Sequence, residues 1–401
     1  MNYTTKRIAL IVAPLALGLA ACAPMPPPPE GFGPVNGLGA NGDSFQSAVS
    51  DGAKFVVFAS NTSNLVAGDT NGATDIFVRD RVAGTITLVS TGSGNVPANG
   101  GSSNPSISDD GSKIVFESDA TNLTAGDSNG VGDVFSKVGL VTTNLTGVGN
   151  GTSTDAMVSG DGSTVVFQTF ATNLVAGDTN GTADIATVPF AGGPLAAVSS
   201  TLPNDYSEFP SISDDGTKVA FGTFATNIGG DATNSAIVIA TGGVVTPVVA
   251  TVADGYVRKP AISGNGTTVA FESNATNLVA GDTNGNRDIV LASEGTARAA
   301  TATQGNGDAA DPVLTDNGSM VAFSTTSSNL VTDDTNGVSD VLFSIGGTAW
   351  WTTRNTLGDG DAGEPALDSS GQFLTFTSAA TNLVAGDTNG FGDVFQRDTY
   401  N

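Results

Sequence analysis

One residue pattern recurs seven times along this chain of 401 residues and constrains its fold more than any other feature. A phenylalanine returns every 50 to 58 residues, and an aspartate follows it after eleven residues, or after ten in the fourth copy. A period of this length indicates one repeated supersecondary unit, as in propellers and solenoids. The phenylalanines are Phe58, Phe116, Phe167, Phe221, Phe271, Phe323 and Phe376. The aspartates are Asp69, Asp127, Asp178, Asp231, Asp282, Asp334 and Asp387.

Each repeat contains four short strand patterns, which the second copy displays most clearly. Pro105 to Ser108 is an extended run before an Asp-Gly turn, and Lys113 to Ser118 is rich in β-branched and aromatic residues. Asp133 to Phe135 opens a third strand, and Leu140 to Leu145 gives a fourth. Four strands in about 50 residues are typical of a propeller blade, whereas the turns of a β-solenoid are usually shorter. We therefore predict an all-β, seven-bladed β-propeller over residues 41–401, with four-stranded antiparallel blades.

The run from Pro105 to Phe116 reads Pro-x-Ile-Ser-x-Asp-Gly-x-x-Ile-x-Phe, and related runs extend from Pro210 to Phe221 and from Pro260 to Phe271. This pattern resembles the TolB-like (WD40-like) β-propeller repeat, whose signature is Pro-x-Trp-Ser-Pro-Asp-Gly-x-x-Ile-x-Phe. The resemblance covers residues 41–401 in seven passes and implies a ring of blades. The signature Trp is replaced here by Ile, Val or Leu. TolB also has an N-terminal α/β domain without a counterpart here, which argues against a part in the Tol–Pal machinery.

Closure of the ring is the open point of this fold prediction. The last repeat stops after its third strand, Asp393 to Asp398. Blade 7 is therefore expected to be three-stranded, or weakly completed by the Gly-rich segment from Gly33 to Gly39.

The charge balance excludes several classes of function. Lys and Arg number 14 against 39 Asp and Glu, so the net charge is −25. Phosphate binding needs basic side chains, so nucleic acid and anionic membrane surfaces are disfavoured as partners, whereas cations are favoured. The chain has no histidine, which excludes His-dependent triads and His-ligated zinc.

The N-terminus has the organisation of an export signal over residues 1–21. Basic Lys6 and Arg7 precede an apolar stretch too short to span a bilayer, which ends at the chain's one cysteine, Cys22. The run Leu19-Ala20-Ala21-Cys22 resembles the lipobox of bacterial lipoproteins. That resemblance implies lipidation of Cys22 and, with Ala23 next, sorting to the outer membrane. An ordinary secretory signal cleaved near Ala21-Cys22-Ala23 is the alternative. Pro- and Gly-rich residues 22–40 predict a tether.

Six loops share the sequence Asp-x-Asn-Gly-x-x-Asp, and strand order places all of them on one face of the ring. Oxygen-bearing side chains at positions 1, 3 and 7 around a Gly-permitted turn suit calcium. Pure turn chemistry is the alternative, because Asn-Gly is a favoured turn pair and Asp bonds to nearby backbone N–H groups. The fourth copy, from Asp231, lacks the Gly and the second Asp and is expected to bind no metal. The candidate ligands are Asp69, Asn71 and Asp75; Asp127, Asn129 and Asp133; Asp178, Asn180 and Asp184; Asp282, Asn284 and Asp288; Asp334, Asn336 and Asp340; and Asp387, Asn389 and Asp393.

A few other residues stand outside the repeat pattern. Trp350 and Trp351 suit either sugar stacking or packing against a neighbouring strand. Arg258 and Lys259 are rare cations, expected to be solvated or paired with a local Asp. Tyr206 and Glu208 lie on a connection between blades.

These observations predict a non-enzymatic scaffold of the cell envelope, tethered by lipid at the bacterial outer membrane and facing the periplasm or the surface. We expect a monomer that binds an envelope protein or a glycan, with calcium in its loops and no catalytic residues. A glycan hydrolase or lyase that uses carboxylates alone is the alternative, because propellers also carry enzymes. A purely structural protein with empty loops is a third possibility.

Overall fold

The computed structural model describes residues 32–230, 233–352 and 357–399. This part of the chain forms seven antiparallel sheets of four strands each, as the repeat predicts. Each sheet is one blade, and blade 1 packs against blade 7 as well as blade 2, so the ring is closed. Two short 3₁₀ turns, Asp51–Ala53 and Ser93–Asn95, interrupt the β-structure. Cys22 and Asp231 lie outside the described residues.

The strands of each blade run from the ring axis outward in chain order, except at blade 7. The innermost strands are β2 (Ser44–Val49), β6 (Ser102–Ile107), β10 (Ser153–Val158), β14 (Ser207–Ile212), β18 (Val257–Ile262), β22 (Ala309–Leu314) and β26 (Ala362–Leu367). The second strands are β3 (Phe55–Ser60), β7 (Ile114–Ser118), β11 (Thr164–Thr169), β15 (Lys218–Thr223), β19 (Thr268–Ser273), β23 (Met320–Thr325) and β27 (Phe373–Ser378). The third strands are β4 (Asp75–Asp80), β8 (Asp133–Val138), β12 (Asp184–Pro189), β16 (Ala236–Thr241), β20 (Asp288–Ser293), β24 (Asp340–Ile345) and β28 (Asp393–Asp398). The outermost strands are β5 (Thr85–Leu88), β9 (Val141–Asn144), β13 (Ala196–Ala197), β17 (Val244–Pro247), β21 (Thr296–Ala299), β25 (Thr348–Trp351) and β1 (Phe32–Pro34).

The recurring phenylalanine lies on the second strand of every blade, and all seven copies are at most 1 % exposed. The apolar clusters join neighbouring blades: Phe116 packs with Val57 and Ala59 of blade 1, and Phe58 packs with Val394 of blade 7. No blade can bury such a face alone, which explains why the unit is repeated around a ring.

Blade 7 is closed by the N-terminal end of the described chain. Strand β1 pairs antiparallel with β28, with Phe32 opposite Arg397 and Pro34 opposite Phe395. The N–H of Val35 then donates to the carbonyl of Val394. The closing strand has three residues, so blade 7 is the weakly completed blade that the sequence predicts. The predicted boundary between the tether and the propeller, at residue 40, therefore falls inside the ring, because Phe32–Pro34 forms one of its strands.

The strand order gives the ring two distinct faces. The connections from second to third strands, which contain the Asp-x-Asn-Gly-x-x-Asp loops, and the connections between blades lie on one face, here named the motif face. The turns from first to second strands lie on the opposite face, here named the turn face. Within residues 32–230, 233–352 and 357–399, no helix has the length and apolar character needed to cross a bilayer.

Candidate functional site

All six acidic loops adopt one hydrogen-bonded arrangement around the central Asn. Its side-chain oxygen accepts the N–H two residues later, as in Ala73 N to Asn71 Oδ1 at 2.9 Å. Its Nδ2 donates to the second aspartate, as in Asn71 to Asp75 Oδ2 at 2.7 Å. These bonds fix the orientation of the Asn side-chain amide, so that its nitrogen faces the carboxylate of the second aspartate. The Asn therefore shapes the turn, and the carboxylates are the groups that remain for a cation.

In each loop the charge of one aspartate raises the pKa of the other. Burial, together with the charge of the first aspartate, raises the pKa of the second aspartate to about 6 in Asp184, Asp288 and Asp340. Such carboxylates favour a proton or a cation, because either one relieves the unfavourable charge.

Each loop contributes two carboxylates, and no third one joins them. Among the described residues, no group of three or more Asp, Glu, Cys or His side chains is placed to hold a metal ion. A cation in these loops would therefore need backbone carbonyls and water as its other ligands, as calcium often does.

A second set of unusual residues lies around the ring axis. The third residue of every innermost strand has a left-handed backbone, with φ between 47° and 52°, next to a β-bulge. A side chain in this region costs about 1–3 kcal/mol, and such strain concentrates at binding sites. Six residue types occur at these seven positions: Gln46, Asn104, Asp155, Phe209, Lys259, Asp311 and Glu364.

Side chains of the neighbouring blade bind the N–H groups of these strained residues. Glu364 Oε2 accepts the N–H of Gln46 at 2.8 Å, and Gln46 Oε1 accepts the N–H of Asn104 at 3.0 Å. Gln168 Oε1 accepts the N–H of Phe209 at 3.3 Å. The polar side chains at the axis therefore connect each of these blades to the next by hydrogen bonds.

Blade 5 holds the densest charge cluster at this site, centred on the fully buried Glu272. Its carboxylate accepts from Arg258 Nε at 2.9 Å, from Arg287 Nη1 at 3.4 Å and from the N–H of Asp311 at 3.0 Å. Lys259 pairs with Asp311 at 2.5 Å. The expectation that Arg258 and Lys259 are paired is therefore confirmed for both, although Arg258 pairs with a Glu.

Three aromatic residues lie on the motif face, in the connections of blades 3, 4 and 5. The rings of Phe170 and Tyr206 are 6.1 Å apart, and Tyr206 accepts a 2.9 Å hydrogen bond from Gln168. Tyr256 packs against the guanidinium of Arg258 at 5.6 Å. Phe170 and Tyr256 both remain more than one-third exposed. We refer to Phe170, Tyr206, Tyr256, Arg258 and the seven strained residues together as the axial mouth.

A cavity of about 400 Å³ opens between the innermost strands. Polar lining comes from Gln46, Asn104, Asp155, Lys259 and Asp311, and apolar lining comes mainly from prolines and alanines. This convergence is not apparent in the sequence, because its residues are spread over several repeats. The available signal was the set of differing residue types that directly precede the inner-strand proline in five of the seven blades.

The turn face carries a separate group of carboxylates near the axis. The N–H of Asp51 donates to the carbonyl of Asp109, and similar bonds join the turns of successive blades. Burial, together with Asp51 and Asp316, raises the pKa of Asp109 to about 6, while burial, Asp316 and Asp109 raise that of Asp214 to about 7.

The two tryptophans lie on β25, the outermost strand of blade 6, away from the axial mouth. Trp350 is 53 % exposed, and the indole N–H of Trp351 donates to the carbonyl of Thr332. They are not brought together with the other candidate residues.

Comparison with known proteins identifies the fold and goes no further. No family model matches the sequence, and no curated protein matches it. Oligogalacturonate lyase from Vibrio parahaemolyticus superposes with a TM-score of 0.56 at 13 % identity, over 92 % of this chain and 93 % of that one. The β-propeller domain of the Trilobed protease from Pyrococcus furiosus gives 0.58 at 10 % identity, over 89 % and 96 %. A putative TolB from Agrobacterium tumefaciens gives 0.45 at 16 % identity, over 78 % and 94 %. The first two likenesses agree with the propeller inferred from the repeat.

Proposed function

We propose that this protein is a non-enzymatic binding scaffold of the cell envelope whose axial mouth receives its ligand. The observation that carries this proposal is the position of the non-repeating residues. The repeat keeps the same residue types in the core and in the acidic loops, but it varies them at the strained positions around one open cavity. Different side chains that converge from several repeats on one cavity are expected where a specific ligand is recognised.

The test is capture of the partner by wild-type protein and by a variant of the axial mouth. Phe170→Ser with Tyr256→Ser removes two exposed aromatic rings, whereas Trp350→Ser removes an exposed ring from the outside of blade 6. Envelope extracts cross-linked to the wild type and to the Trp350 variant should yield the same partner, and the double variant should lose it. Retention of that partner by the double variant would exclude the axial mouth as its site.

The scaffold would be held at the outer membrane through lipid on Cys22. The lipobox and the Pro-rich residues that follow it support this proposal. A radioactive fatty acid should label the wild type and should not label Cys22→Ser. Equal label on both proteins would exclude Cys22 as the lipid anchor, and no label on the wild type would assign the segment to an ordinary secretory signal.

Calcium bound in the acidic loops is the second part of the proposal. Paired, buried carboxylates beside flexible Gly turns fit this hard cation, and the net charge of −25 favours its uptake. Calcium should raise the melting temperature and a chelator should reverse the effect. Magnesium is the control, since its need for near-ideal octahedral geometry makes it a poor substitute.

A glycan hydrolase or lyase is the competing function, because Asp155 and Asp311 line the same cavity. Burial raises the pKa of Asp155, as expected of a general acid. Lys259, however, pairs with Asp311, so the cavity lacks the two uncommitted carboxylates of a glycosidase. Release of unsaturated sugars from polygalacturonate, abolished by Asp155→Asn, would favour the enzyme over the scaffold.

A further inference from the structure

The six acidic loops share a sequence, but their blades differ in the residue two positions after the end of the outermost strand. In blade 1 this residue is Ser90, whose hydroxyl accepts the N–H of Ile76 and donates to Asp75 Oδ1 at 2.6 Å. In blade 2, Thr146 does the same for Val134 and for Asp133 Oδ1, at 2.8 Å. We name this position the clasp. A clasp residue that donates to the second aspartate supplies part of what a cation would otherwise supply.

In blade 2 a further protein donor reaches the carboxylates. Asn144 Nδ2 donates to Asp133 Oδ2 at 3.0 Å and to Asp127 Oδ2 at 3.3 Å. Both oxygens of Asp133 are thereby bonded to side chains of the protein. Blade 5 has a comparable donor in Gln304, whose Nε2 lies 2.6 Å from Asp282 Oδ1.

Blade 3 lacks the clasp bond. Its equivalent residue, Ser199, donates to the carbonyl of Thr201 at 2.7 Å instead of to the aspartate. Asp184 is buried, with only 2 % of its surface exposed. Within the described chain its Oδ2 has no hydrogen-bond partner. Asp178, the other carboxylate of this loop, raises the pKa of Asp184 by its charge and by a hydrogen bond that forms only when Asp184 carries a proton. A buried carboxylate oxygen that no donor reaches is costly unless a cation or proton occupies the space beside it.

Blade 7 presents the same deficit at the other aspartate of the loop. Asn36, which follows the closing strand β1, acts as the clasp by donating to Asp393 Oδ1 and accepting the N–H of Val394. Asp387 is only 6 % exposed, and its Oδ1 has no partner among the residues that the structure describes. The blade 7 loop therefore combines an unsatisfied buried oxygen with the contact that closes the ring.

We propose that calcium binds selectively in the loops of blades 3 and 7, at Asp178 with Asp184 and at Asp387 with Asp393, while protein donors close the loops of blades 1 and 2. This inference rests on the calcium part of the proposed function and restricts it to two of six similar loops. At blade 7 the cation also stabilises the junction between β1 and β28, because Asn36 and the cation share Asp393.

The experiment is a calcium titration of the full chain by calorimetry, with the repeats serving as matched controls. The wild type should bind two calcium ions. Asp184→Asn and Asp387→Asn should each bind one, and the double variant none. Asp75→Asn and Asp133→Asn, at the second aspartates of blades 1 and 2, should still bind two.

A second measurement keeps the inference testable if a variant folds poorly. Without calcium, Asp184→Asn should melt no lower than the wild type, because the amide removes an uncompensated buried charge. Calcium should slow amide exchange of residues 32–36 in the wild type and in Asp184→Asn, but not in Asp387→Asn. Protection of those residues in Asp387→Asn would overturn the blade 7 assignment.

The outcomes separate this inference from the proposal beneath it. Binding of about six equivalent ions, or loss of an ion in Asp75→Asn, would overturn the selection of blades 3 and 7 but leave calcium binding intact. No calcium binding to the wild type would overturn both, while the axial mouth would remain the proposed ligand site.

Discussion

At the scale of single residues, Glu272 has the largest number of charged partners at the axial mouth. It is fully buried, yet it contacts two guanidinium groups and a backbone N–H of the next blade. Its partners Arg258 and Arg287 are partly exposed, so solvent moderates the consequence of losing it. The side chain is best understood as the residue that positions the cations of the mouth.

We expect Glu272→Gln to lower the free energy of unfolding by about 2 kcal/mol, because two cations lose their buried counter-charge. Glu294→Gln is the control, since Glu294 is exposed at the tip of a hairpin and should change stability by no more than about 0.5 kcal/mol. Urea unfolding measures both. Equal effects of the two substitutions would contradict the role given to Glu272.

The carboxylates of the turn face predict a pH dependence. The pKa of Asp214 is raised to about 7 in the folded state. At pH values between its unfolded pKa and about 7, Asp214 therefore binds a proton when the protein folds. The unfavourable contribution of the Asp214 charge to the free energy of folding is absent below pH about 4 and complete above pH about 7. Asp214→Asn should therefore stabilise the protein at pH 8, by about 1–2 kcal/mol after solvent screening, and by little at pH 5.

Asp215→Asn is the matched control for this measurement. Hydrogen bonds from Thr217 and Ser213 lower the pKa of Asp215, so its charge is favoured in the folded state. Thermal unfolding at pH 8 should show this control destabilised and Asp214→Asn stabilised. The same sign for both variants would argue against the carboxylate repulsion at the axis.

At the scale of elements, the turns between the first and second strands approach one another most closely. Gly160 and Gly264 leave room for the carboxylates of Asp109 and Asp214, because a Cβ at either glycine would overlap them. These glycines have ordinary φ angles, so space rather than backbone freedom explains them.

Gly264→Ala should consequently lower stability by about 1–3 kcal/mol through overpacking against Asp214. Gly101→Ala is the control, since nothing lies within 4 Å of a Cβ there and its φ is not in the left-handed region. Differential scanning calorimetry should show a lower melting temperature for the first variant only. An unchanged melting temperature for Gly264→Ala would show that the turn relaxes freely.

The closing strand β1 gives a second prediction at this scale. Asn36→Ala removes a donor from buried Asp393 and an acceptor from the N–H of Val394, so we expect a loss of about 2 kcal/mol. Asn41→Ala removes only exposed side-chain contacts and is expected to be nearly neutral. Hydrogen exchange of β28 should increase in the Asn36 variant alone. Unchanged exchange there would mean that β1 does not hold blade 7.

The repeat made the elements predictable, and the site was much less so. Phe58 and its six equivalents revealed the blade because a buried ring is required at the same place in each unit. The axial mouth depends instead on a β-bulge and on contacts such as Glu272 with Asp311, which lies 39 residues later. Such contacts follow from closure of the ring, which spacing along the chain does not encode. The clasp residue Asn36 was hidden for the same reason, whereas Ser90 and Thr146 depend on how the strands of one blade pair.

At the scale of the whole molecule, the excess of negative charge dominates. A net charge of −25 on one compact ring produces self-repulsion that weakens the folded state. Screening by monovalent salt should relieve it over distances beyond about 8–10 Å. The melting temperature should rise between about 10 and about 300 mM NaCl, about a 30-fold change in ionic strength.

A salt-independent melting temperature would show that the acids are already compensated within the fold. Asp119→Lys should give a smaller rise at low salt, because Asp119 is exposed in a loop of the motif face. Its effect should vanish at high salt, which distinguishes screening from a bound cation.

The direction of β1 determines which face of the ring would lie nearest to a membrane that holds the N-terminus. Because β1 runs antiparallel to β28, residue 32 begins at the turn face and Asn36 reaches the motif face. Ten residue steps separate Phe32 from Cys22, a reach of roughly 35 Å when extended. A lipid on Cys22 would hold the turn face toward the bilayer. The acidic loops on the motif face would then point into the surrounding compartment, where a soluble ligand can reach them without competing with the lipid headgroups.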